Sequence, residues 1–86
     1  MEKQFNSINE MLETLDRGNE VEFQIGEVRY YLLPYWENKR IIGYYIGEAN
    51  MVGMLCKNKY ELANFEIQGK PLKECIKDMI VLWRNF

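Results

Sequence analysis

Histidine is absent from this chain of 86 residues, and serine occurs once. Histidine is the commonest general base and the commonest transition-metal ligand, so its absence removes the usual partners for nucleophilic and metal chemistry. The single serine, Ser7, is better explained as a helix cap than as a nucleophile. Neither a Walker A run nor a Gly-x-Gly-x-x-Gly run is present. We therefore expect no enzymatic activity, no catalytic residues, no cofactor and no metal site.

Long apolar runs and dense cysteines are also missing. No apolar run approaches the roughly 20 residues that span a bilayer, and the first residues lack the charged-then-apolar order of a signal peptide. Cys56 and Cys75 are too few for the disulfide framework of a small secreted domain, and we interpret both as reduced, buried residues. These features predict a cytoplasmic protein that does not contact a membrane.

Charge of one sign does not dominate the chain, whose net charge is −2. Residues 1–27 carry −5, residues 28–56 carry +1 and residues 57–86 carry +2. A protein that binds duplex DNA normally presents a strongly basic surface. The composition therefore argues against duplex DNA as a partner and is typical of a solvated surface with one acidic side.

The chain is long enough for one domain, which we predict over residues 1–86. Ser7 and Glu10 have the spacing of a capping box, and Gly18 is placed to end the helix that they begin. The residues between them include an apolar stripe at helical spacing, formed by Ile8, Met11, Leu12 and Leu15. An N-terminal helix follows from this pattern.

Residues 20–32 alternate between apolar and polar side chains, which predicts a β-hairpin. Gly26 and Glu27 suit a two-residue type II′ turn, which takes glycine at its first central position. With these two residues as the loop, the register sorts three apolar pairs onto one face: Val21 with Leu32, Phe23 with Tyr30, and Ile25 with Val28. The same register places Gln24 with Arg29 and Glu22 with Tyr31 on the other face. A shift of one residue would destroy this sorting.

The middle of the chain continues the meander. We expect Pro34 to stop the second strand and residues 35–39 to form a connection. A third strand follows over about 40–46, and a less regular fourth strand over about 51–56. Asn58 and Glu61 then form a second capping pattern, for a short helical turn.

Pro71 is placed to open a last helix, because proline is favoured at the first helical position. The core stripe of this predicted helix is Leu72, Cys75, Ile76, Met79 and Trp83. The predicted fold class is therefore α+β: an N-terminal helix, an antiparallel meander of three to four strands, a short helical turn and a C-terminal helix. Both helices are expected on one face of the sheet.

A recognisable pattern covers about a fifth of the chain: Asn58-x-x-Glu61-Leu62-x-x-Phe65-x-Ile67-x-Gly69-Lys70-x-Leu72-Lys73-Glu74. It resembles the C-terminal part of many small hypothetical proteins of low-GC Gram-positive bacteria and their phages, in which a helix and a short strand meander precede a similar helix. The matched residues are mostly capping and core residues. The resemblance implies a bacterial or mobile-element origin, and it assigns no functional residues.

Seven aromatic and basic residues lie close together in the sequence: Arg29, Tyr31, Tyr35, Trp36, Lys39, Arg40 and Tyr45. Tyr, Trp and Arg anchor protein interfaces, and aromatic side chains beside basic groups also stack nucleic-acid bases. Three interpretations are open. Tyr35 and Trp36 cover a small core as a lid, or the cluster binds a protein, or it binds single-stranded nucleic acid or a small ligand.

The end of the predicted last helix is apolar nearly all round, through Ile80, Val81, Leu82, Trp83 and Phe86. A helix that packs on one side keeps polar residues on the other. Either another part of the domain covers this end, or it docks on a partner or on a second copy, for which a C2 homodimer is the simplest arrangement.

These observations favour a small non-enzymatic protein-binding module. We expect an accessory or inhibitor protein that engages another protein through the aromatic sheet region or the helix end, and homodimerisation is a further hypothesis. The alternative is binding of single-stranded nucleic acid or a small ligand through Arg29, Lys39, Arg40 and the same aromatic residues.

Overall fold

A computed structural model describes residues 4–84 of the chain. In chain order the elements are α1 (Ile8–Asp16), β1 (Val21–Ile25), β2 (Val28–Glu37), β3 (Arg40–Glu48), β4 (Met54–Cys56), α2 (Lys59–Ala63), β5 (Glu66–Ile67), β6 (Lys70–Pro71) and β7 (Ile80–Arg84). Two short 3-10 turns, at Leu72–Glu74 and Ile76–Asp78, lie between β6 and β7.

The predicted N-terminal helix is confirmed as α1. The Ser7 hydroxyl accepts a 3.2 Å hydrogen bond from the backbone N–H of Glu10, as an N-cap should. The Glu10 carboxylate reaches back and accepts from the backbone N–H of Asn6 at 3.2 Å. Met11 and Leu15 bury the apolar side of the helix, which ends before Gly18 at a φ of +87°.

Five strands form one antiparallel sheet in the order β4-β3-β2-β1-β7. The predicted β1–β2 register is confirmed at each of its five pairs, from Val21 opposite Leu32 to Ile25 opposite Val28. Gly26, at a φ of +62°, occupies the first central position of the connecting turn. A separate two-stranded hairpin is formed by β5 and β6.

The prediction that Pro34 ends the second strand is wrong. Strand β2 continues through Pro34, which lies opposite Tyr44 of β3, and ends at Glu37. Strand β1 begins at Val21, opposite Leu32, so the part of β2 around Pro34 is paired only on its β3 side. Proline is tolerated in such an edge-like position because one side of the strand needs no ladder partner.

The predicted connection over residues 35–39 shrinks to a two-residue turn. Glu37 pairs with Arg40, and between them Asn38 and Lys39 have φ values of 51° and 65°. Two successive positive φ values are the mark of a type I′ hairpin turn. Asparagine tolerates this conformation well, whereas lysine does not.

The predicted α+β fold class and its C-terminal helix are wrong: the protein is mainly antiparallel β-sheet, and α1 is its one helix longer than five residues among residues 4–84. In place of the last helix the chain makes two 3-10 turns, extends at Met79 and then forms β7 along β1. Four members of the predicted stripe, Leu72, Cys75, Ile76 and Met79, are nevertheless buried.

A strand explains the apolar tail better than a helix does. Val81 is buried and lies opposite Phe23, whereas Ile80 and Leu82 on either side of it are exposed. This alternation is the period-2 pattern of a strand, and the adjacent β-branched residues Ile80 and Val81 favour it. β7 also supplies backbone hydrogen-bond partners to the free edge of β1. This pairing joins residues that are far apart in the chain, so the local spacing of apolar residues does not reveal it.

The sheet has one buried and one solvent-facing side. The buried side carries Val21, Phe23, Leu32, Tyr44, Ile46, Cys56 and Val81, among others, and these pack with α1, α2, the β5–β6 hairpin and the 3-10 turns in one hydrophobic cluster. The other side, called the outer face below, carries Glu22, Gln24, Arg29, Tyr31, Leu33, Tyr35, Tyr45, Leu55 and Ile80 by register. None of the nine is fully buried.

Candidate functional site

The outer face carries a row of apolar side chains that runs across three strands. The register places Leu33 of β2 beside Tyr45 of β3, and Tyr45 beside Leu55 of β4. Tyr35 joins the row through an edge-to-face contact with Tyr45, with ring centroids 5.4 Å apart and an interplanar angle of 74°. Leu55 is 42% exposed and Tyr35 is 37% exposed, so the row faces solvent.

A close approach of the backbone shapes the end of this row. Gly43 of β3 lies opposite Tyr35, and an added Cβ there would be 2.9 Å from the carbonyl oxygen of Cys56 and 3.0 Å from the Leu55 side chain. A side chain at residue 43 would therefore displace Leu55 or the edge strand β4. The glycine lets Leu55 lie against β3 beside the aromatic pair.

Tyr31 has a structural task on the outer face. Its hydroxyl end lies over Gly47 and Gly53, and a Cβ added at Gly53 would collide with the tyrosine oxygen. The hydroxyl donates a 3.1 Å hydrogen bond to the carbonyl oxygen of Met51. Tyr31 therefore fixes the loop between β3 and β4, while its role as an interface anchor stays a prediction.

The polar end of the outer face lies beyond Tyr31. Here a shallow depression of about 520 Å³ is lined by residues that include Glu20, Glu22 and Arg29. Two carboxylates thus flank the one predicted binding residue of positive charge on this face.

Trp36 does not share the outer face with Tyr35. The register shifts between these two residues, so that Trp36 lies opposite Ile41, which packs against the core. The Trp36 ring covers Gly18 just after α1, where a Cβ would be 2.9 Å from Cζ2 of the indole. Trp36 stays 48% exposed. The lid interpretation thus describes Trp36, while Tyr35 belongs to the open face.

Lys39 and Arg40 do not approach Arg29. Lys39 is in the β2–β3 turn and Arg40 begins β3, whereas Arg29 is near the start of β2. Eight residues of extended strand separate Arg29 from Glu37, a distance of about 27 Å at 3.3–3.4 Å per residue. Of the seven predicted site residues, the structure therefore brings Arg29, Tyr31, Tyr35 and Tyr45 onto one face and leaves the other three elsewhere.

The predicted self-association residues fall in and beyond β7. Val81 belongs to the core, whereas Ile80 and Leu82 are exposed. The backbone of Trp83 pairs with Glu22, and Phe86 lies outside the described residues. Because β7 is the last strand on its side of the sheet, the exposed Ile80 extends the outer face toward that edge.

A second surface was missed by the sequence analysis. An open groove of about 660 Å³ lies on the buried side of the sheet, at the end of the sheet that holds the β3–β4 loop. Its floor is Val28, Tyr30 and Ile46, one wall is residues 65–68, and the other wall is formed by Met51, Val52 and Met54. This lining is called the apolar groove below.

The β3–β4 wall of the apolar groove exposes its apolar side chains. Val52 is 99% exposed, and Met51 and Met54 are each 62% exposed. The predicted fourth strand, over about 51–56, is shorter in the structure, where β4 spans only Met54–Cys56. A half-buried strand from residue 51 would have hidden alternate side chains. The signal that points to the groove is the apolar pair Met51-Val52 directly after the turn residue Asn50.

The opposite wall is held in place by Gln68. Its side-chain amide donates to the carbonyl oxygen of Ile25 at 3.1 Å and to the hydroxyl of Tyr30 at 3.2 Å. These bonds tie the β5–β6 hairpin to the β1–β2 hairpin. The groove is therefore bounded by two hydrogen-bonded walls.

Three buried titratable groups have raised pKa values. Burial, together with the hydrogen bond to Asp16, raises the pKa of Tyr44. Burial, reinforced by the charge of Glu61, raises the pKa of Cys56, and burial likewise raises the pKa of Cys75 despite the opposing charge of Lys70. Both cysteines are free thiols. Their raised pKa values lower the thiolate population, which disfavours a nucleophilic role.

Comparisons with models of protein families, with curated proteins and with solved structures found no match. Over residues 4–84, no helix is long and apolar enough to cross a membrane. The same part of the chain contains no group of three or more His, Cys, Asp or Glu residues that could hold a metal ion.

Proposed function

We propose that this chain is a protein-binding module and that the outer face of its sheet is the contact surface. The observation that carries the proposal is the solvent-facing row of Leu33, Tyr45 and Leu55, extended by Tyr35. Antiparallel sheets commonly keep a polar solvent face. A row of tyrosine and leucine on that face is typical of a surface that packs against another polypeptide.

The dimensions of the outer face suit a partner with a flat surface. Five strands about 4.8 Å apart give a width of about 24 Å, and strands of three to ten residues give lengths of about 10–33 Å. The area that these strands cover, about 500 Å², is about two thirds of the roughly 800 Å² that each partner contributes to a standard interface. The apolar centre of the interface would be the row of Leu33, Tyr35, Tyr45 and Leu55. Glu22 and Arg29 would lie at its polar rim.

Charge favours a protein over a nucleic acid as the partner. A site for single-stranded nucleic acid needs basic groups along the path of the phosphates. Arg29 is the one basic residue among the nine that define the outer face, and Glu20 and Glu22 lie beside it. The nucleic-acid alternative stays a prediction, and this arrangement gives it little support.

The proposal places the module in the cytoplasm as an accessory or inhibitor protein. The two buried free cysteines support a reducing compartment, because small domains in oxidising compartments are usually cross-linked. The resemblance of residues 58–74 suggests a low-GC Gram-positive bacterium or its phage as the setting in which a partner is found.

Site-specific photo-crosslinking tests the proposal. The photoreactive residue p-benzoylphenylalanine replaces Tyr35 on the outer face or, as the matched control, Tyr60, which is 77% exposed on α2. Each protein is irradiated in a lysate of a low-GC Gram-positive bacterium, and adducts are identified by mass spectrometry. We expect an adduct that forms at residue 35 and not at residue 60.

The identified protein is then purified and its affinity measured by calorimetry. Tyr35→Thr with Leu55→Thr should weaken binding by about 100-fold, since two contacts worth about 1–2 kcal/mol each are lost. Tyr60→Thr should leave the affinity unchanged. Adducts that form equally at both positions, or an affinity unaffected by the double substitution, would show that the outer face is not the contact surface.

The same proteins decide the nucleic-acid alternative. Single-stranded oligonucleotide is added while tryptophan fluorescence is followed at several salt concentrations. Salt-sensitive quenching that Tyr35→Thr abolishes would support the alternative and contradict the protein-binding proposal.

A further inference from the structure

We infer that the apolar groove is a second binding site, separate from the outer face, and that its occupant is a basic amphipathic peptide segment of a partner protein. The inference rests on three features of the described residues. These are a concave apolar surface, a loop that is held so as to expose its apolar side chains, and a rim of uniformly negative charge.

The shape and chemistry of the groove suit apolar side chains. Its volume of about 660 Å³ is within the range of about 300–1,000 Å³ that is usual for ligand sites. Val28, Ile46, Phe65 and Ile67 supply a lining of aliphatic and aromatic groups. Methionine is frequent in grooves that accept amphipathic helices because its flexible thioether adapts to different side chains, and Met51 and Met54 both line this groove.

The exposure of the β3–β4 wall is imposed by its backbone. Met51 accepts a hydrogen bond from Tyr31 through its carbonyl oxygen, and its N–H donates to the carbonyl oxygen of Glu48 at 3.1 Å. The N–H of Ala49 donates to the carbonyl oxygen of Arg29 at 2.9 Å. The loop is thereby fixed against the sheet. Met51, Val52 and Met54 remain in water because of this anchoring, and they form a preorganised apolar wall.

The rim of the groove specifies the charge of the occupant. Glu27, Glu48 and Glu66 line it, and no lysine or arginine is among its lining residues. Within residues 4–84 none of these three carboxylates takes part in an ion pair. A bound segment that carries lysine or arginine residues beside its apolar side chains would place these positive charges near the three carboxylates. Such complementary charge favours a basic segment and disfavours an acidic one.

A random peptide library displayed on phage tests this inference. The library is selected on the wild-type protein and, in parallel, on a Val52→Lys variant. Because Val52 is almost completely exposed, Val52→Lys should fold normally while it places a positive charge in the groove wall. Tyr60→Lys introduces the same charge at an exposed residue outside the groove and is the matched control.

Selection should enrich peptides that combine spaced apolar residues with lysine or arginine on the wild type and on Tyr60→Lys, but not on Val52→Lys, whose charge repels them. The best peptide should lose about ten-fold in affinity when Glu27, Glu48 and Glu66 are all changed to Gln, and raised salt should weaken its binding to the wild type. The absence of enriched peptides, the enrichment of acidic or neutral ones, or an affinity unaffected by the triple substitution contradicts the inference.

Methionine methyl groups locate the bound peptide. With carbon-13 in the methionine methyls, Met51 and Met54 report on the groove, while Met11 and Met79 are fully buried and act as internal controls. We expect the peptide to move the signals of Met51 and Met54 alone. If these signals move with protein concentration in the absence of peptide, the occupant is a second copy of the chain and the inference fails.

The two proposed sites can fail independently. Tyr35→Thr with Leu55→Thr should weaken binding at the outer face by about 100-fold and leave peptide binding in the groove intact, because neither residue lines the groove. Val52→Lys should abolish peptide binding in the groove and leave binding at the outer face intact.

Discussion

The hydroxyl of Tyr44 donates a hydrogen bond of 2.6 Å to Oδ1 of Asp16, a residue 28 positions earlier in the chain. The other oxygen of Asp16 forms an ion pair with Lys59. Asp16 is the last residue of α1, Tyr44 is in the middle of β3, and Lys59 begins α2. This one carboxylate therefore joins the sheet to both helices that pack on it.

Removal of the hydroxyl should destabilise the protein. We expect Tyr44→Phe to lower the free energy of unfolding by about 1–2 kcal/mol, because a short hydrogen bond to a charged group is lost while Asp16 is partly solvated by water. Urea unfolding followed by circular dichroism measures the change. Tyr60→Phe removes a hydroxyl from an exposed ring and is the control. Equal stability of Tyr44→Phe and the wild type would mean that the bond contributes nothing.

The same hydroxyl should make stability depend on alkaline pH. An unfolded tyrosine ionises near pH 10, whereas burial and Asp16 raise the pKa of Tyr44 in the folded protein. Above about pH 10 the unfolded chain therefore binds fewer protons than the folded one, and stability falls as pH rises, by up to about 1.4 kcal/mol per pH unit. Urea midpoints measured from pH 8 to pH 11 should decline less steeply for Tyr44→Phe. Parallel curves for the two proteins would contradict this assignment.

Trp36 and Gly18 should be coupled in stability. Gly18→Ala introduces a Cβ at a φ of +87° and 2.9 Å from the Trp36 ring. We therefore expect this substitution to lower the free energy of unfolding by about 2 kcal/mol. In a Trp36→Ala background the ring is gone, and the loss should fall to about 1 kcal/mol of backbone strain.

Gly69→Ala is the matched control for this double-mutant cycle. Gly69 has a similar φ of +84°, but no atom lies within 4 Å of the position of its Cβ. It should cost about 1 kcal/mol whether or not Trp36 is present. A cost for Gly18→Ala that is equally independent of Trp36 would show that the indole does not pack on residue 18.

The β2–β3 turn offers a stabilising substitution. Lys39 has a φ of 65°, a conformation that costs a residue with a Cβ about 1–2 kcal/mol and costs glycine almost nothing. We expect Lys39→Gly to raise the free energy of unfolding by about 1 kcal/mol. Lys57→Gly, at an exposed lysine with an ordinary negative φ, should lower it slightly. Thermal unfolding of both variants makes the comparison, and a lower melting temperature for Lys39→Gly would rule out a strained turn.

The two cysteines should resist alkylation. Cys56 and Cys75 are 4% and 3% exposed, and burial raises both pKa values. Iodoacetamide at pH 8 should modify the folded protein slower than the urea-unfolded protein by on the order of 100-fold, as followed by mass spectrometry. Rapid modification of one thiol in the folded state would show local opening around it.

Local chemistry made the first third of the fold predictable. The Ser7 cap, the Gly18 stop and the register from Val21 to Leu32 depend on residues a few positions apart, and all three agree with the structure. The effect of Pro34 was not predictable in this way, because it depends on where the neighbouring strand β1 begins.

The C-terminal helix was predicted wrongly for a related reason, because the structure of residues 72–84 depends on a distant strand. The residues Leu72, Cys75, Ile76 and Met79 are spaced as on a helix and are buried, yet two 3-10 turns present them equally well. The choice between helix and strand for Ile80–Arg84 was decided by the open edge of β1, about 60 positions earlier. The apolar groove was not predictable from local sequence either, because its two walls come from separate segments, residues 51–54 and 65–68.

The place of β7 in the sheet has a consequence for how the protein assembles. β1 meets β2 across a two-residue turn, but it meets β7 only after residues 26–79 have been arranged. Closing that longer loop costs about 3 kcal/mol more in chain entropy. During synthesis on the ribosome, the β1–β4 meander can form early, while one side of β1 stays unpaired until β7 has been made. We therefore expect the final step of folding to be the docking of β7, and slow refolding to be its kinetic signature.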